Sequence, residues 1–449
     1  MKSNKLLSIL FLSCLLSFLL LQTSCSNQDY VSAIPGDCQA IVAIDFGKMS
    51  GVDNKALLKG VLHVKKIDGC GLDLSEKAYL FSTSDGDIGL CLKVSDESKL
   101  RDFLSGLHHQ GRASVVTERR GFSFSIVDKT WMAGFSDCSF LLMGPISVGS
   151  QTQAQQRMTV YLSQEEEKSL LGSRLWEKLD SLQAPMTMVA QVQALPESLS
   201  APLMLGAPKD ADMSQVLVAA TMRVEDKFFF VEGRPFSFNT RINQLIDTNM
   251  QVLRPIGDTY LRTLPQNVQT ALLTNVEGTS FLPLLQANKP MQAILAGVNT
   301  AIDMDKIIRS IDGDMMVSST HVGDRQGMSM CAKLSNCEWL ADVDYWKQSC
   351  PSGSSITDWG GEGYVVKNDK TAFYFGVSPD LQFYSGGSPE EAHSSILPSD
   401  TPFPDLFIKK IKGCRLALVA NIKPYQSTSA SFPLSFLFGK AETMLYVIK

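Results

Sequence analysis

Two segments of this chain carry the same order of residue types, and this repeat constrains the fold more than any other feature. Residues 35–46 contain a proline, an aspartate two positions later, a glutamine, an apolar run and a closing aspartate. Residues 265–276 repeat that order in register, with asparagine in place of each aspartate. A near-continuous apolar run after a turn is typical of a strand that is covered on both faces. The repeat therefore predicts two equivalent buried strands.

Three further pairs of segments match in the same order along the chain. Each pair has similar residues at similar spacing, and the pairs are 91–95 with 331–335, 128–130 with 369–371, and 186–192 with 416–422. Chance rarely preserves both order and spacing over so many blocks. The sequence therefore predicts an internal duplication.

The predicted fold class is α+β, with two tandem, structurally similar lobes that each place helices over a mainly antiparallel sheet. A length of 449 residues exceeds what one hydrophobic core usually holds, which also favours two units. The predicted boundaries are a lipoprotein signal peptide at 1–25, a tether at 26–29, a first lobe at 30–253, a connection at 254–263 and a second lobe at 264–449.

The second lobe is predicted to be shortened at its C-terminal end. Residues 441–449 match the first lobe from Ala219 onward, so the second lobe ends inside the hairpin that the first lobe completes. A strand without a partner exposes unpaired N–H and C=O groups. Either the chain is shortened there, or another segment covers the edge.

The N-terminus carries a targeting signal. Lys2 and Lys5 precede a mainly apolar run over 6–21, and small and polar residues lead to Cys25. This order is typical of a secretory signal peptide. It resembles the lipobox of bacterial lipoproteins, in which Cys25 is lipidated and becomes the first residue of the mature protein. The alternative is an uncleaved membrane anchor, for which the run is near the lower length limit.

Several function classes find no support in the sequence. The net charge is −5 and no long basic run occurs, whereas a nucleic-acid partner requires a concentrated basic face. Neither a phosphate-binding glycine loop nor a Gly-x-Ser-x-Gly nucleophile motif is present. The cysteines do not show the paired spacing of a zinc site. We therefore predict no catalytic residue, no metal and no cofactor.

The cysteines beyond Cys25 are predicted to be mainly free and buried. Cys91 matches Cys331 in the repeat, and Cys38 and Cys138 match apolar positions, so these four are predicted core residues. An exported chain also permits disulfides, and the sequence leaves the state of three further cysteines open. These three are Cys70, Cys337 and Cys350.

Four pairs of closely spaced aspartates are candidates for ligands or for a general acid and base. The pairs are Asp85 with Asp87, Asp303 with Asp305, Asp312 with Asp314, and Asp342 with Asp344. Roles in turns and helix caps explain most of them. Hydrolysis requires carboxylates from separate elements that meet across a cleft, which spacing along the chain does not show.

A group of aromatic residues in the second lobe forms a candidate ligand-contact surface. Trp359, Tyr364, Tyr374 and Tyr384 lie on predicted strands beside glycine turns. Successive residues of a strand point to opposite faces, so some of these rings face away from the core side of the sheet. Exposed rings stack on sugars or contact a partner protein. The alternative is a helix that covers this face.

The start of the mature chain resembles a family of bacterial envelope proteins. A lipobox cysteine, a short tether and then Tyr-Val-x-x-Ile-Pro-x-Asp at 30–37 are similar to the Bacteroidetes lipoproteins grouped as domain of unknown function 4836. The resemblance implies export and an outer-membrane or other envelope location, and it implies no activity. Only Asp29 is acidic in the tether, which leaves a periplasm-facing anchor as well supported as display at the cell surface.

Three functional hypotheses follow from these patterns. The first is a non-catalytic scaffold, held to the membrane by its N-terminal lipid, that binds an envelope protein or a glycan. The second is an envelope hydrolase acting on glycan or peptide, with carboxylates at the lobe interface. The third is a structural spacer without a ligand. A smooth or aromatic groove favours the first hypothesis, a polar cleft with converging carboxyls the second, and the absence of a sizeable pocket the third.

Lipidation of Cys25 makes a direct prediction about membrane association. The Cys25→Ala variant lacks the thiol that carries the acyl chains, so we expect it to leave the membrane fraction after cell lysis. Fractionation followed by immunoblotting measures this, with the unsubstituted chain and Cys38→Ala as controls. A variant that stays with the membranes would show that residues 1–25 anchor the protein in another way.

Overall fold

A computed structural model of the chain describes residues 28–49, 59, 64, 67–288, 292, 301–322, 325–360, 363–368, 371–423 and 440–449. The signal peptide at 1–25 and Cys25 lie outside these residues. Strands and helices both occur, so the fold is α+β. The strands are β1 (Ala40–Ile44), β2 (Ala78–Ser82), β3 (Ile88–Lys93), β4 (Thr117–Arg119), β5 (Phe122–Val127), β6 (Trp131–Phe135), β7 (Ser139–Gly144), β8 (Met186–Gln191), β9 (Leu217–Glu225), β10 (Phe228–Phe236), β11 (Thr270–Glu277), β12 (Ile311–Val322), β13 (Arg325–Leu334), β14 (Ser354–Trp359), β15 (Gly363–Asn368), β16 (Ala372–Val377), β17 (Gln382–Gly386), β18 (Leu416–Asn421) and β19 (Thr443–Ile448).

The helices lie between groups of strands. They are α1 (Glu97–His109), α2 (Gln151–Ser163), α3 (Arg174–Asp180), α4 (Glu197–Leu203), α5 (Thr240–Asn249), α6 (Gly278–Ala287), α7 (Met304–Arg309), α8 (Val343–Gln348), α9 (Pro389–Ser394) and α10 (Asp405–Ile411). Within the described residues, none of them is long and apolar enough to cross a membrane.

The chain divides into two compact units. Unit 1 takes Met1–Cys38 and Asp68–Trp176, and unit 2 takes Gln39–Ile67 and Glu177–Lys449. Their bounds do not coincide with those of the two predicted lobes. The strands β1, β8, β9 and β10 belong to unit 2, although the sequence places them in the first lobe.

Unit 1 is an antiparallel sheet with helices beside it. Its strands follow the order β2, β3, β7, β6, β5, β4. Asp96 begins α1 by accepting a hydrogen bond from the N–H of Lys99, and the helix buries Leu100, Leu104 and Leu107 on one stripe. β2 and β3 form a hairpin, and α1 follows it.

Unit 2 is built on a longer sheet that contains one parallel pair. The strand order is β1, β8, β9, β10, β19, β18, β11, β12, β13, β17, β16, β15, β14. Every neighbouring pair is antiparallel except β10 with β19, where Phe230 lies opposite Leu445. The strand β10 therefore covers the edge of β19 that the sequence left without a partner.

The same order of pairings occurs twice. β1 pairs with β8, which pairs with β9, and β11 pairs in the same way with β18, which pairs with β19. The order β2, β3, β7, β6, β5, β4 of unit 1 has a counterpart in β12, β13, β17, β16, β15, β14 of unit 2. The sequence repeat relates three of these pairs of strands directly, β1 with β11, β3 with β13 and β8 with β18.

A packed apolar cluster of unit 2 lies on one face of its sheet. Ala271 and Leu273 of β11 point into it, together with the side chains of Phe230 and Phe407. Phe407 stacks on Phe403 with ring centroids 4.2 Å apart. Since strand side chains alternate, Leu272 points to the opposite face. That second face carries the pocket described below.

All eight cysteines within the described residues are free thiols. Cys38, Cys91 and Cys331 are buried, as predicted. The prediction is wrong for Cys138, which is only half-buried because it lies at the turn before β7, where Ser136 and Ser139 surround its sulfur. Of the three cysteines left open, Cys70 is buried, whereas Cys337 and Cys350 are half-buried.

Burial of the thiols predicts their reactivity. Burial raises the pKa of Cys38 to about 12 and raises the pKa of Cys331 well above its ordinary value, and an unreactive protonated thiol results. We expect iodoacetamide at pH 7.5 to leave both unmodified in the folded protein and to alkylate both in denaturant without a reductant. Mass spectrometry measures this, with Cys350 as an accessible control. Alkylation that requires a reductant would contradict the free-thiol structure.

Candidate functional site

Three of the four predicted ligand-contact aromatics meet on one face of unit 2. The ring of Trp359 lies 5.2 Å from that of Tyr374 and 6.3 Å from that of Tyr384. His393 of α9 places its ring 5.0 Å from the indole. Tyr384 is buried, whereas Trp359 and Tyr374 are half-buried. A helix therefore covers part of this face, and ligand contact by the remaining ring surface stays a prediction.

Tyr364 does not join this cluster. It pairs with Asp358 on β14 and with Phe375 on β16, which places it on the opposite face of the sheet from Trp359. Its ring lies 5.7 Å from that of Phe375, and the ammonium group of Lys347 lies 5.2 Å from the ring centre. The four rings therefore form no single surface.

The paired aspartates mostly have structural roles. Asp303 accepts a hydrogen bond from the N–H of Lys306 and so begins α7. The others with a described partner form ion pairs or hydrogen bonds: Asp87 with Arg157, Asp312 with Arg254, Asp342 with Lys306, Asp344 with Lys347, and Asp305 with Gln286. These aspartates, which the sequence gave as candidates for acid–base chemistry, therefore cap a helix, form ion pairs or form hydrogen bonds in the structure.

Asp314 is the buried member of its pair. Its carboxylate accepts hydrogen bonds from the N–H of Gly257 at 2.8 Å, the N–H of Thr259 at 3.2 Å and the amide of Asn275 at 2.7 Å. A Cβ at position 257 would lie 2.6 Å from this carboxylate, so only glycine permits the approach. Asp314 therefore holds the segment after Arg254 against β11 and β12.

A polar cleft of about 490 Å³ lies at the end of β11. Glu277 and Asp312 are directly opposite each other across β11 and β12, and both are exposed. Arg254 donates to Asp312 at 2.8 Å, and the hydroxyl of Ser280 donates to Glu277 at 2.8 Å. The guanidinium offsets the repulsion between two neighbouring carboxylates. This cleft is where the described residues of unit 2 bring two carboxylates together.

An apolar pocket of about 330 Å³ lies on the face of the unit 2 sheet that points away from the core. Leu272 and Val317 form its floor, Phe281 and Ile308 come from α6 and α7, and Pro202 comes from α4. The remaining lining residues are Ala201, Thr270, Thr274, Leu285, Met304, Met315, Ser318, Ser319, Met328, Ser329, Met330, Phe373, Ser385 and Leu418.

The hydroxyl groups of this pocket are already used within the protein. The Thr270 and Ser319 hydroxyls are 2.8 Å apart. Ser385 donates to the carbonyl of Met330 at 3.1 Å. Of the described lining residues none is charged. The pocket therefore offers a ligand apolar contact and few free hydrogen-bonding groups.

Sequence reasoning missed this pocket. The apolar run over 270–276 indicated a strand covered on both faces, but a strand pattern does not say how closely the covering helices pack. One signal was present in the sequence. Met315, Met328 and Met330 lie on the pocket face, and methionine is the apolar side chain that best adapts to irregular or variable contacts.

The described residues contain no group of three or more His, Cys, Asp or Glu side chains placed to hold a metal ion. The pair His108 and His109 lies at the C-terminal end of α1, where Nδ1 of His108 bonds to the carbonyl of Ala113 and Nδ1 of His109 to that of Ser105. Local backbone contacts therefore account for this pair.

Comparison with known proteins identifies a family but no activity. A family model described as Domain of unknown function (DUF4836) matches residues 41–395. Crystal form IV of TP0453 matches with 14% identity and a TM-score of 0.26, covering 41% of this chain and 71% of that chain. Crystal form I of TP0453 matches with 8% identity and a TM-score of 0.23, covering 76% of this chain and 91% of that chain. None of the curated proteins matches this chain.

The contacts of Asp314 predict a structural rather than a catalytic role. Asp314→Ala leaves the N–H groups of Gly257 and Thr259 and the Asn275 amide without their acceptor, which should lower the free energy of unfolding by about 2 kcal/mol. Urea unfolding monitored by circular dichroism measures this. Asp344→Ala, whose side chain is 86% exposed, is the control and should leave the midpoint unchanged. Equal stability of the two variants would show that the Asp314 contacts are dispensable.

Proposed function

Since the chain belongs to the family described as Domain of unknown function (DUF4836), and that description assigns no activity, we propose a function from the geometry of the apolar pocket. The protein is a non-catalytic binding protein of the cell envelope. Its pocket takes a slender apolar chain, such as the acyl chain of a lipid. The single observation that carries this proposal is a cavity of about 330 Å³ with no charged side chain among its described lining residues.

The size and chemistry of the pocket support an apolar ligand. Binding cavities for small molecules have volumes of roughly 300 to 1,000 Å³ and are lined mainly by apolar side chains. Apolar cavities of about 150 Å³ already bind a molecule such as benzene. Methionine thioethers at Met304, Met315, Met328 and Met330 adapt to a ligand of variable shape. A saturated acyl chain forms no hydrogen bonds, which suits a pocket whose hydroxyls already bond within the protein.

A glycan fits this pocket poorly. Sugar hydroxyls lose hydrogen bonds to water on entering an apolar cavity, at a cost of about 1–3 kcal/mol for each group left unpaired. An apolar side chain of a protein partner remains an alternative ligand of the same chemistry. The aromatic cluster at Trp359 and Tyr374 is the better candidate surface for a glycan, since its rings are half-buried rather than enclosed.

The other two hypotheses have less support. Hydrolysis at the polar cleft would use Glu277 and Asp312, but Arg254 holds Asp312 in an ion pair and Ser280 holds Glu277. A structural spacer needs no cavity, whereas unit 2 contains one of ligand size.

The anchor is part of the proposal. A lipid on Cys25 holds the protein at the outer membrane, facing the periplasm or the cell surface, with residues 26–29 as the tether. A protein so placed has acyl chains within reach as ligands.

We also propose an internal duplication, from the repeated order of strand pairings. The repeated order of strand pairings, from β1 to β9 and from β11 to β19, supports one ancestral α+β unit copied head to tail. The strand β10 of the first copy pairs with β19 of the second. The copy from β11 onward carries the apolar pocket. From the earlier part of the chain, the described lining contains Ala201 and Pro202 of α4.

Binding of fatty acids tests the pocket directly. Each buried methylene contributes about 0.8 kcal/mol, or roughly a fourfold change in affinity, so affinity should rise with chain length until the pocket is full. We expect displacement of a fluorescent fatty acid from the Cys25→Ala protein to show this trend. The Cys25→Ala form is used because it lacks acyl chains of its own that would compete.

Two matched variants locate the site. Met328 is 42% exposed at the pocket and Leu397 is 55% exposed outside it, so either accepts a glutamate at similar cost to the fold. Met328→Glu places a carboxylate beside the ligand and should weaken binding about tenfold, whereas Leu397→Glu should bind as before. Equal affinities of the two variants, or affinity that does not depend on chain length, would exclude the pocket as the site.

A further inference from the structure

A third cleft in unit 2 concentrates positive charge in a protein that is acidic as a whole. It has a volume of about 410 Å³ and lies where β10, β19 and the end of α10 meet. Five cationic side chains line it, together with Glu232, which pairs with Lys449 at 2.6 Å, and Lys412 pairs with Asp258 at 2.7 Å. The five are Arg223, Lys409, Lys410, Lys412 and Lys449. The net charge of the whole chain is −5, so this density is not an average property of the surface.

Two of these cations converge on one point. The guanidinium of Arg223 lies 5.5 Å from the centre of the Phe230 ring, and the ammonium group of Lys410 lies 5.4 Å from the same centre. Both also approach one oxygen of Glu225, at 2.6 Å for Arg223 and 3.7 Å for Lys410. Two cations thus share the carboxylate of Glu225. Arg223 donates to it through Nε.

Helix electrostatics explain only part of this cluster. Lys409 and Lys410 lie in the last turn of α10, where cations offset the partial negative charge of the helix end. That reason does not apply to Arg223, which lies on β9, or to Lys449, which follows β19. Three separate elements therefore direct cations into the same space.

The floor of the cleft is apolar. Phe230 and Leu445 are opposite each other across the parallel pair, and with Val447, which lies on the same face, they are buried beneath the cations. An apolar floor excludes water and strengthens the interaction of the surrounding charges with an anion. It also offers contact to an apolar group attached to that anion.

We infer that this cleft binds a phosphate monoester or diester, with Arg223 and Lys410 contacting the phosphate oxygens. Arginine presents paired N–H donors that match the oxygens of a phosphate, and lysine adds a compact charge. A soluble phosphate ester and the headgroup of an acidic phospholipid share this chemistry. The inference is independent of the apolar pocket, which lies on the other face of the sheet and has a different lining.

The test uses charge-neutralising variants with a matched control. Arg223→Gln and Lys410→Gln each remove one cation from the cleft. Lys227→Gln also removes one positive charge from the β9–β10 hairpin, but Lys227 pairs with Glu442 and does not line the cleft. All are made in the full chain carrying Cys25→Ala, and urea unfolding verifies that each variant folds.

Two probes distinguish the sources of the phosphate. Isothermal titration calorimetry at low salt uses glycerol 3-phosphate in one arm and dihexanoyl phosphatidylglycerol, below its micelle concentration, in the other. Dihexanoyl phosphatidylcholine serves as the control without net charge. We expect Arg223→Gln and Lys410→Gln each to weaken binding about fivefold or more, while Lys227→Gln changes it less than about twofold.

Each outcome decides the inference. Binding of glycerol 3-phosphate that depends on Arg223 and Lys410 supports a soluble ester, and binding of only phosphatidylglycerol with the same dependence supports a lipid headgroup. The inference is overturned if neither probe binds, if phosphatidylcholine binds as well as phosphatidylglycerol, or if the three charge variants behave alike.

Discussion

The parallel pairing of β10 with β19 is the interaction on which the arrangement of unit 2 depends. Within unit 2 it joins β1, β8, β9 and β10 with the strands from β11 to β19 through backbone hydrogen bonds, and elsewhere the described sheet of this unit is antiparallel. Without β10, the strand β19 would present a row of unpaired backbone groups, although its side chains are buried over Thr443–Ile448. The same pairing places Phe230 over the core, next to Phe407.

Strand alternation then separates the two faces of this sheet and gives them different chemistry. On β11, Ala271 and Leu273 enter the packed core, while Leu272 and its polar neighbours Thr270 and Thr274 line the pocket. The hydroxyls on the pocket face bond to one another or to backbone, so they keep their hydrogen bonds without filling the space as larger apolar side chains would. A face built in this way is covered without being closely packed.

The sequence predicted the strands better than it predicted what their side chains meet. The α+β class and the strands at 35–46 and 265–276 follow from local patterns, which depend on a few neighbouring residues. The grouping of the aromatics depends on register instead. Trp359 pairs with Gly363, so the adjacent Tyr364 points to the opposite face, and no pattern within either strand indicates that register. Cys138 is half-buried for a similar reason, since its position in the turn, not its residue type, sets its exposure.

Both ligand-sized cavities of unit 2 that were missed require residues distant in sequence. The apolar pocket combines α4 with strands that begin at Thr270, and the basic cleft combines Arg223 with Lys410 and Lys449. Net charge gave no indication of the basic cleft, because acidic residues elsewhere outweigh its cations. Lysines are also common in the last turn of a helix, where they offset the partial negative charge of the helix end. The lysines of α10 therefore gave no sign of a binding site. The β9–β10 pairing places Arg223 opposite Phe230, and the β10–β19 pairing brings β10 into the same sheet as β18, which follows α10 and Lys410. The proposed role of these charges rests on that convergence.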